Sequence, residues 1–276
     1  MAHRLLTKND FTALYDSFKA AFSENSVKLR PTKEEFSYRL AHKLRVVYDI
    51  SGATFDGSVL IGFILHTSNI YEGIPTAYNG GTGVLPGFRN QRVAEELYEY
   101  LIPKIQSKFL ARVLLEVVEV NEYAIKLYEK VGFNFRRRLL CFKQTLELDY
   151  LSHSHKIEEG LVSQVDFNFN DFEPSFLDSE AHLMDGKEKV LLCKINGELA
   201  GFAIFQPHLG RISQLAVIPK HRGKKVAKSL LYEIQKKSSK KLTIMNIPED
   251  QLSFHQFLIR NGFINEVNQF EMELII

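Results

Sequence analysis

The strongest constraint on this chain is that it repeats itself. Val84-Leu85-Pro86-Gly87-Phe88-Arg89 returns as Val217-Ile218-Pro219-Lys220-His221-Arg222, a shift of 133 residues. The following segments match in register: Val93, Ala94, Leu97, Tyr98 and Leu101 correspond to Val226, Ala227, Leu230, Leu231 and Ile234. This spacing places each set on one apolar stripe of a 3.6-residue helix. Upstream, Asp56-Gly57 and Asn196-Gly197 each precede a strand-like run, which suits tight type I′ hairpin turns. Downstream, Gly132-Phe133 returns as Gly262-Phe263, now shifted by 130. A shift near half of the 276 residues means two copies of one domain, not a short-period solenoid. The seam is expected around residues 151–156, giving one domain over 1–150 and a second over 151–276.

Each copy reads helix, hairpin, strand, helix, strand, helix, strand. In the first, Phe11, Leu14, Tyr15, Phe18 and Phe22 make an amphipathic helix, and Phe36, Leu40 and Leu44 suggest a second. Strands are expected at 45–55, 58–67 and 76–85, followed by a helix at 91–107. A strand at 112–120, a helix at 122–131 and a last strand at 135–148 complete the copy. The fold class is α/β (α+β), with helices flanking a mixed central sheet in each domain.

Composition narrows the function. Lys plus Arg number 35 against 33 Asp plus Glu, so the net charge of +2 does not by itself imply a polyanion partner. At 45% hydrophobic and 25% charged residues the chain reads as globular and soluble. No apolar run approaches the roughly 20 residues of a membrane span, so no membrane partner is expected. The start, Met1-Ala2-His3-Arg4, leads into a polar-rich helix without a signal-peptide core. Cys141 and Cys193 lie in apolar strand-like runs and read as reduced core thiols. The expected location is cytoplasmic. Nine histidines show no metal spacing, and His153-x-His155 falls in the seam, so no metal is expected. Lys220, Arg222, Lys224, Lys225 and Lys228 lack interleaved aromatics and read as a solvated helix face; nucleic acid is not the expected partner.

Residues 86–94 end a strand and open a helix. Freed backbone N–H groups at such a start favour an anion, and a pyrophosphate is the natural guest. Here the sequence resembles the GNAT acyltransferase superfamily, whose signature is Val-x-Pro, two residues, then Arg-Gly-x-Gly-x-Gly/Ala. The first copy reads Val84-Leu85-Pro86-Gly87-Phe88-Arg89-Asn90-Gln91-Arg92-Val93-Ala94. Asn90 stands where the first glycine would be and Arg92 at the second; in the other copy Gly223 is retained and Lys225 departs. The resemblance implies a tandem two-domain member. It also implies acetyl-CoA as co-substrate, bound at Val84, Arg89, Asn90, Gln91, Arg92, Val93 and Ala94. The preceding Gly80-Gly81-Thr82-Gly83 ends a strand and does not open a helix, so it reads as a close-approach site and not a P-loop.

Leu115-Glu116-Val117, Asn121 and the run from Ala124 to Gly132-Phe133 resemble the superfamily's C-terminal motif, closest to the branch that acetylates ribosomal-protein N-termini. In that branch a strand glutamate acts as general base and a tyrosine twelve residues later as general acid. Glu116 and Tyr128 have that spacing. Tyr128 also fits a core stripe with Ala124, Leu127 and Val131. Asn121, implied to contact the pantetheine arm, also fits a helix N-cap. The chemistry wants such groups, because an amine must lose a proton to attack a thioester and the leaving thiolate needs one. Backbone N–H groups near 82–84 are suited to polarise the carbonyl. With no Cys–His pairing apparent, direct transfer is the simpler mechanism. The implied function is acetyl transfer from acetyl-CoA to a primary amine, whether a small molecule or a peptide N-terminus. The alternative is a non-catalytic acyl-CoA-binding or partner-binding module. In the second copy Asn246, Gln251 and Leu258 stand at Glu116, Asn121 and Tyr128, so that half reads as degenerate.

Overall fold

The hydrophobic stripes and turn signals fold as alternating strands and helices. The computed structural model describes residues 1–23, 31–149, 155–184 and 186–276. In the first half they are β1 (Ala2–Leu5), α1 (Phe11–Ala21), α2 (Lys33–Tyr38), β2 (Gly52–Asp56), β3 (Val59–Tyr71), β4 (Ile74–Val84), α3 (Val93–Gln106), β5 (Arg112–Val118), α4 (Glu122–Val131) and β6 (Asn134–Gln144). The second half has β7 (Lys156–Gly160), α5 (Glu180–Leu183), β8 (Lys189–Ile195), β9 (Glu198–Gln206), β10 (Arg211–Val217), α6 (Val226–Lys237), β11 (Thr243–Pro248), α7 (Leu252–Arg260) and β12 (Phe263–Ile275).

The chain divides into two compact units, Met1–Arg136 with Glu271–Ile276, and Arg137–Phe270. In the first, the strands run β1-β2-β3-β4-β5 and then the end of β12. Neighbours from β1 to β4 are antiparallel, and β4 and β5 are parallel. In the second, β6-β11-β10-β9-β8-β7 repeats the pattern, with β10 and β11 as the parallel pair. The final strand thus contributes its last residues to the first unit, where the Ile276 amide bonds to the Ala111 carbonyl at 3.0 Å. Residues 150–154, where part of the expected seam falls, lie outside the described residues.

Several expectations are corrected. The N-terminus does not run straight into a helix: Ala2 to Leu5 pair antiparallel with Phe55 to Gly52, because a free edge of β2 offers backbone partners. The strand expected at 45–55 starts only at Gly52, after a 3₁₀ turn at Tyr48–Ile50. The helix read from Phe36, Leu40 and Leu44 is α2 continued by a π turn at Arg39–Lys43, which still buries all three. The hairpin before β3 turns on Gly57-Ser58, since Asp56 still pairs with Val59. A second hairpin, unforeseen, joins β3 to β4 through Glu72-Gly73, both with positive φ (53° and 75°) as a type I′ turn requires.

The first unit's core lies on both faces of its sheet. On one face Phe18 of α1 packs on Phe36 with ring centroids 4.7 Å apart, and Phe63 of β3 lies beside them. On the other, Val93, Ala94, Leu97, Tyr98 and Leu101 of α3 are all buried, the stripe expected from the sequence. At the far end of β5, Arg112 is only 3% exposed. Its guanidinium donates to Glu273 (2.8 Å), Glu72 (3.0 Å), the Thr76 hydroxyl (2.9 Å) and the Tyr71 carbonyl (2.8 Å). Removing one partner of so buried a network strands the rest. Arg112→Ala is therefore expected to destabilise the first unit by about 3 kcal/mol or more, read as an earlier chemical-denaturation transition.

Candidate active site

The geometry begins where two strands part. The parallel pairing of β4 with β5 runs Thr76↔Arg112, Ala77↔Val113, Tyr78↔Leu114 and Asn79↔Leu115, and then stops. At that point β4 carries a bulge: Leu65 pairs with Gly81 and His66 with Asn79, leaving Gly80 without an opposite number. A bulge turns a strand and ends its pairing on one side. Gly80 is required there by close packing, since an added Cβ would lie 2.1 Å from a Leu44 methyl. Residues 81–84 keep β3 as their ladder partner while Glu116 to Val118 continue along β5, and a gap opens between the strands.

The turn at the mouth of this gap opens a helix, where free backbone N–H groups favour an anion. A 3₁₀ turn at Pro86–Phe88 leads to Asn90 and Arg92, both left-handed (φ 61° and 60°), and α3 starts at Val93. Non-glycine residues there cost about 1 kcal/mol or more each, Asn least. The glycine-type backbone path is therefore kept without glycine. Arg92 does not fold over the turn; it pairs along the helix with Glu95 (2.9 Å) and Glu99 (3.3 Å). Arg89 reaches the other way and donates to the Ala21 carbonyl at 2.9 Å, tying the turn to α1. The Gln91 amide spans the turn to the Gly87 carbonyl (3.0 Å). Val93 and Ala94 are buried, and Val84 is half-buried at the strand's end. A Cβ at Gly87 would meet nothing within 4 Å, so the outer surface of the turn is open. A pyrophosphate against the turn and an extended thioester arm in the gap fit this arrangement.

Strand alternation then sorts the polar side chains by face, because cross-strand partners share a face. Tyr78 pairs with Thr67 and so lies on the side of Phe63 and α1; Glu116, two residues beyond its neighbour Leu114, lies there too. The Tyr78 hydroxyl donates to Glu116 Oε2. Glu116 is half-buried. Asn79 and His66 lie on the opposite face, towards α3 and α4. The Asn79 amide donates to the Thr82 hydroxyl (2.8 Å) and to the Tyr98 hydroxyl, and its carbonyl accepts from the Gly81 N–H (2.9 Å). Tyr128 of α4 joins this group: it is 7% exposed and interacts with Thr82 and Asn79. Burial pushes the Tyr128 hydroxyl above the usual phenol range, with Thr82 and Asn79 opposing it. Tyr98 is raised well above that range, by burial first and then by the neighbouring Tyr128. Asn121 caps α4, its side chain accepting from the Ala124 N–H at 3.3 Å, and is exposed beyond the end of β5.

Sequence reading singles out Glu116 and Tyr128, and names Tyr78 only as an aromatic suited to a cleft or to the core; it does not pick out the side chains of Asn79, Thr82 and Tyr98 around Tyr128. Tyr98 lay hidden in the apolar stripe of α3. The available signal was a Tyr-Asn pair before a glycine run, where alternation sends two polar groups to opposite faces.

The second unit repeats the backbone without those polar side chains. Its bulge falls at Ser213, 133 residues after Gly80, and its turn has Gly223 and Lys225 left-handed (φ 75° and 62°). An open pocket of about 480 Å³ lies against that turn, lined by Val217, Arg222, Gly223 and Phe257 among others. The residues at the positions of Tyr78, Asn79, Thr82, Tyr98, Glu116 and Tyr128 are Arg211, Ile212, Leu215, Leu231, Asn246 and Leu258. The segment 170–178 fills the space beside the parted strands. Ser175 accepts from Asn246 (3.1 Å), Asp178 pairs with Arg211 (2.7 Å), and Asp171 holds Arg222 of the turn (2.5 Å). What remains is about 20 Å³, room for a water.

Two copies of a mixed sheet, each with a bulged, parted strand pair and a left-handed turn into a helix, define a class of acyl-transferring protein. The sequence profile of the Acetyltransferase (GNAT) family matches residues 11–133 and 157–263, and the chain belongs to that family. No curated protein matches the chain in sequence. Among solved structures it is similar to a GCN5-related N-acetyltransferase from Sphaerobacter thermophilus (14% identity, 99% of this chain and 95% of that one, TM-score 0.74). It is also similar to a putative acetyltransferase from Pyrococcus horikoshii (16% identity, 100% and 89%, TM-score 0.71). A tandem GNAT protein from the clavulanic acid biosynthesis pathway covers 98% of its own length and 99% of this chain (13% identity, TM-score 0.69). These likenesses establish the fold. Among the described residues no cluster of three His, Cys, Asp or Glu side chains forms a metal site, and no helix is long and apolar enough to cross a membrane.

Behind the bulge, His66 is fully buried, and its Nδ1 lies 2.7 Å from the Ile50 carbonyl. Burial pushes its pKa down to about 4, against a smaller opposing effect of that carbonyl. The folded protein therefore holds His66 neutral where the unfolded chain, near 6.5, takes up a proton. Stability from this source is complete above pH 6.5 and falls as pH drops towards 4, by about 1.4 kcal/mol per unit. Denaturation midpoints between pH 7 and 4.5 are expected to fall more steeply for the wild type than for His66→Gln.

Proposed function

We propose that this protein is an N-acetyltransferase that moves an acetyl group from acetyl-CoA to a primary amine, with the chemistry in its N-terminal domain. The observation that carries this reading is the placement of Glu116 and Tyr128 on opposite faces of one strand gap, beside an open anion-binding turn. Val84, Arg89, Asn90, Gln91, Arg92, Val93 and Ala94 form the strand end, turn and helix start that hold the co-substrate, largely through backbone. Asn121 lies where it meets the extended arm.

The amine enters on the face of α1 and Glu116 takes its proton. The amine nitrogen bonds to the thioester carbonyl carbon, backbone N–H groups near 82–84 stabilise the developing oxyanion, and the carbon–sulfur bond breaks. Tyr128, on the other face, gives its proton to the leaving sulfur. Its raised pKa keeps it protonated at neutral pH, so the proton is in place when the thiolate leaves. Both groups return to their starting states by exchange with water.

The second copy supports a functional reading of the polar set. Arg211, Ile212, Leu215, Leu231, Asn246 and Leu258 show that the same fold stands without that set, so folding alone does not demand it. By the same comparison the C-terminal domain is a degenerate copy without turnover. The acceptor is a small amine or a peptide N-terminus.

Thiol release from acetyl-CoA with a panel of primary amines tests the proposal. Glu116→Gln and Tyr128→Phe are each expected to lower kcat by about 100-fold, with acetyl-CoA still raising the Tm of both. Binding without turnover across the panel would instead mark a non-catalytic acyl-CoA-binding module.

A further inference from the structure

We propose that Tyr78 is a positioning residue for Glu116, an inference that rests on the acetyl-transfer reading. A glutamate side chain turns about three bonds, and a base whose direction wanders loses most of the benefit of being nearby. Tyr78 is well placed to remove that freedom. It is 6% exposed and paired on both sides, with Thr67 of β3 and Leu114 of β5, one residue before the β4–β5 pairing ends. Its hydroxyl reaches past Leu114 and donates to Glu116 Oε2, at the first residue of β5 beyond the paired stretch. The carboxylate is thus held from the strand that it is about to part from.

A second, independent observation comes from the other copy. The residue 133 positions after Tyr78 is Arg211, and the one at Glu116 is Asn246. Arg211 turns to Asp178 (2.7 Å), and Asn246 bonds to Ser175 and Gln269 (3.1 and 2.8 Å). Phenol and carboxylate are absent together where the gap is filled. Where both are present the phenol serves the carboxylate. The consecutive residues Tyr78 and Asn79 then divide the work of the gap, Tyr78 at the base on one face and Asn79 at the hydroxyls around Tyr128 on the other.

The test is a double-mutant cycle on the full chain with Tyr78→Phe, Glu116→Gln and the pair, reading kcat and both KM values. Tyr78→Phe keeps the ring and its packing. It is expected to lower kcat about 10-fold, leave the KM for acetyl-CoA within about twofold, and add nothing in the Glu116→Gln background. Wild-type kcat in Tyr78→Phe, or a full further loss in the double variant, would overturn the role. So would a loss tracking weaker acetyl-CoA binding and a lower Tm, which would make Tyr78 a packing residue. Full activity in Glu116→Gln would remove the base assignment and this inference while leaving acetyl transfer standing. Absence of wild-type turnover would remove both.

Discussion

The structure of the first unit turns on a single lost register. After Asn79↔Leu115 the strands β4 and β5 stop pairing, and the extra residue at Gly80 is what parts them. Parallel strands normally stay together because backbone groups left without partners are costly in a protein interior. Here the cost is met by the surroundings. The Asn79 side chain takes the Gly81 N–H, and the Arg39 guanidinium donates to the Gly80 carbonyl at 3.3 Å. The bulge lies one residue beyond the last β4–β5 pair and resets the alternation of side chains along β4. It also directs the chain towards the turn at Pro86–Phe88.

A gap in a sheet has two sides, and the alternation of strand residues assigns them different tasks. Groups for the acceptor and groups for the leaving sulfur need not compete for one surface. The α1 face carries a carboxylate and a phenol; the α3 face carries an amide and hydroxyls around a buried, protonated tyrosine. In the reading proposed above, the anion is held by backbone groups, which is compatible with Asn90 and Arg92 in place of glycine. What the turn must conserve is a left-handed path at two positions, and Asn90, Arg92, Gly223 and Lys225 all adopt it.

Much of this was legible beforehand. The repeat, the helix at Glu122–Val131, the stripe of α3 and the turn all follow from periodicity and local chemistry, which act over a few residues. Local pattern failed where pairing at a distance decides. The sequence around Ala2 to Leu5 has no strand signature of its own and becomes one only because β2 offers an edge. Glu72-Gly73 gives no hairpin signal of its own, because the runs that flank it are polar and broken. Within the site, Glu116 and Tyr128 were found through motif resemblance. Tyr78 reads in the sequence as a cleft or core aromatic and Asn79 carries no signal, because their contacts depend on a bulge in the β3–β4 pairing.

The division of β12 also bears on how such a chain is made. A domain whose parts are all consecutive can fold as soon as it has left the ribosome. The first unit cannot close in that way. Arg112 and Arg136 share Glu72 within the first copy, but their further pairs with Glu273 and Glu271 form only after the whole intervening copy has been made. At roughly 5–20 residues per second, that leaves a nearly finished sheet with an open edge for about 7 to 27 seconds. The half proposed for catalysis is thus interrupted by the other copy and completed only after it.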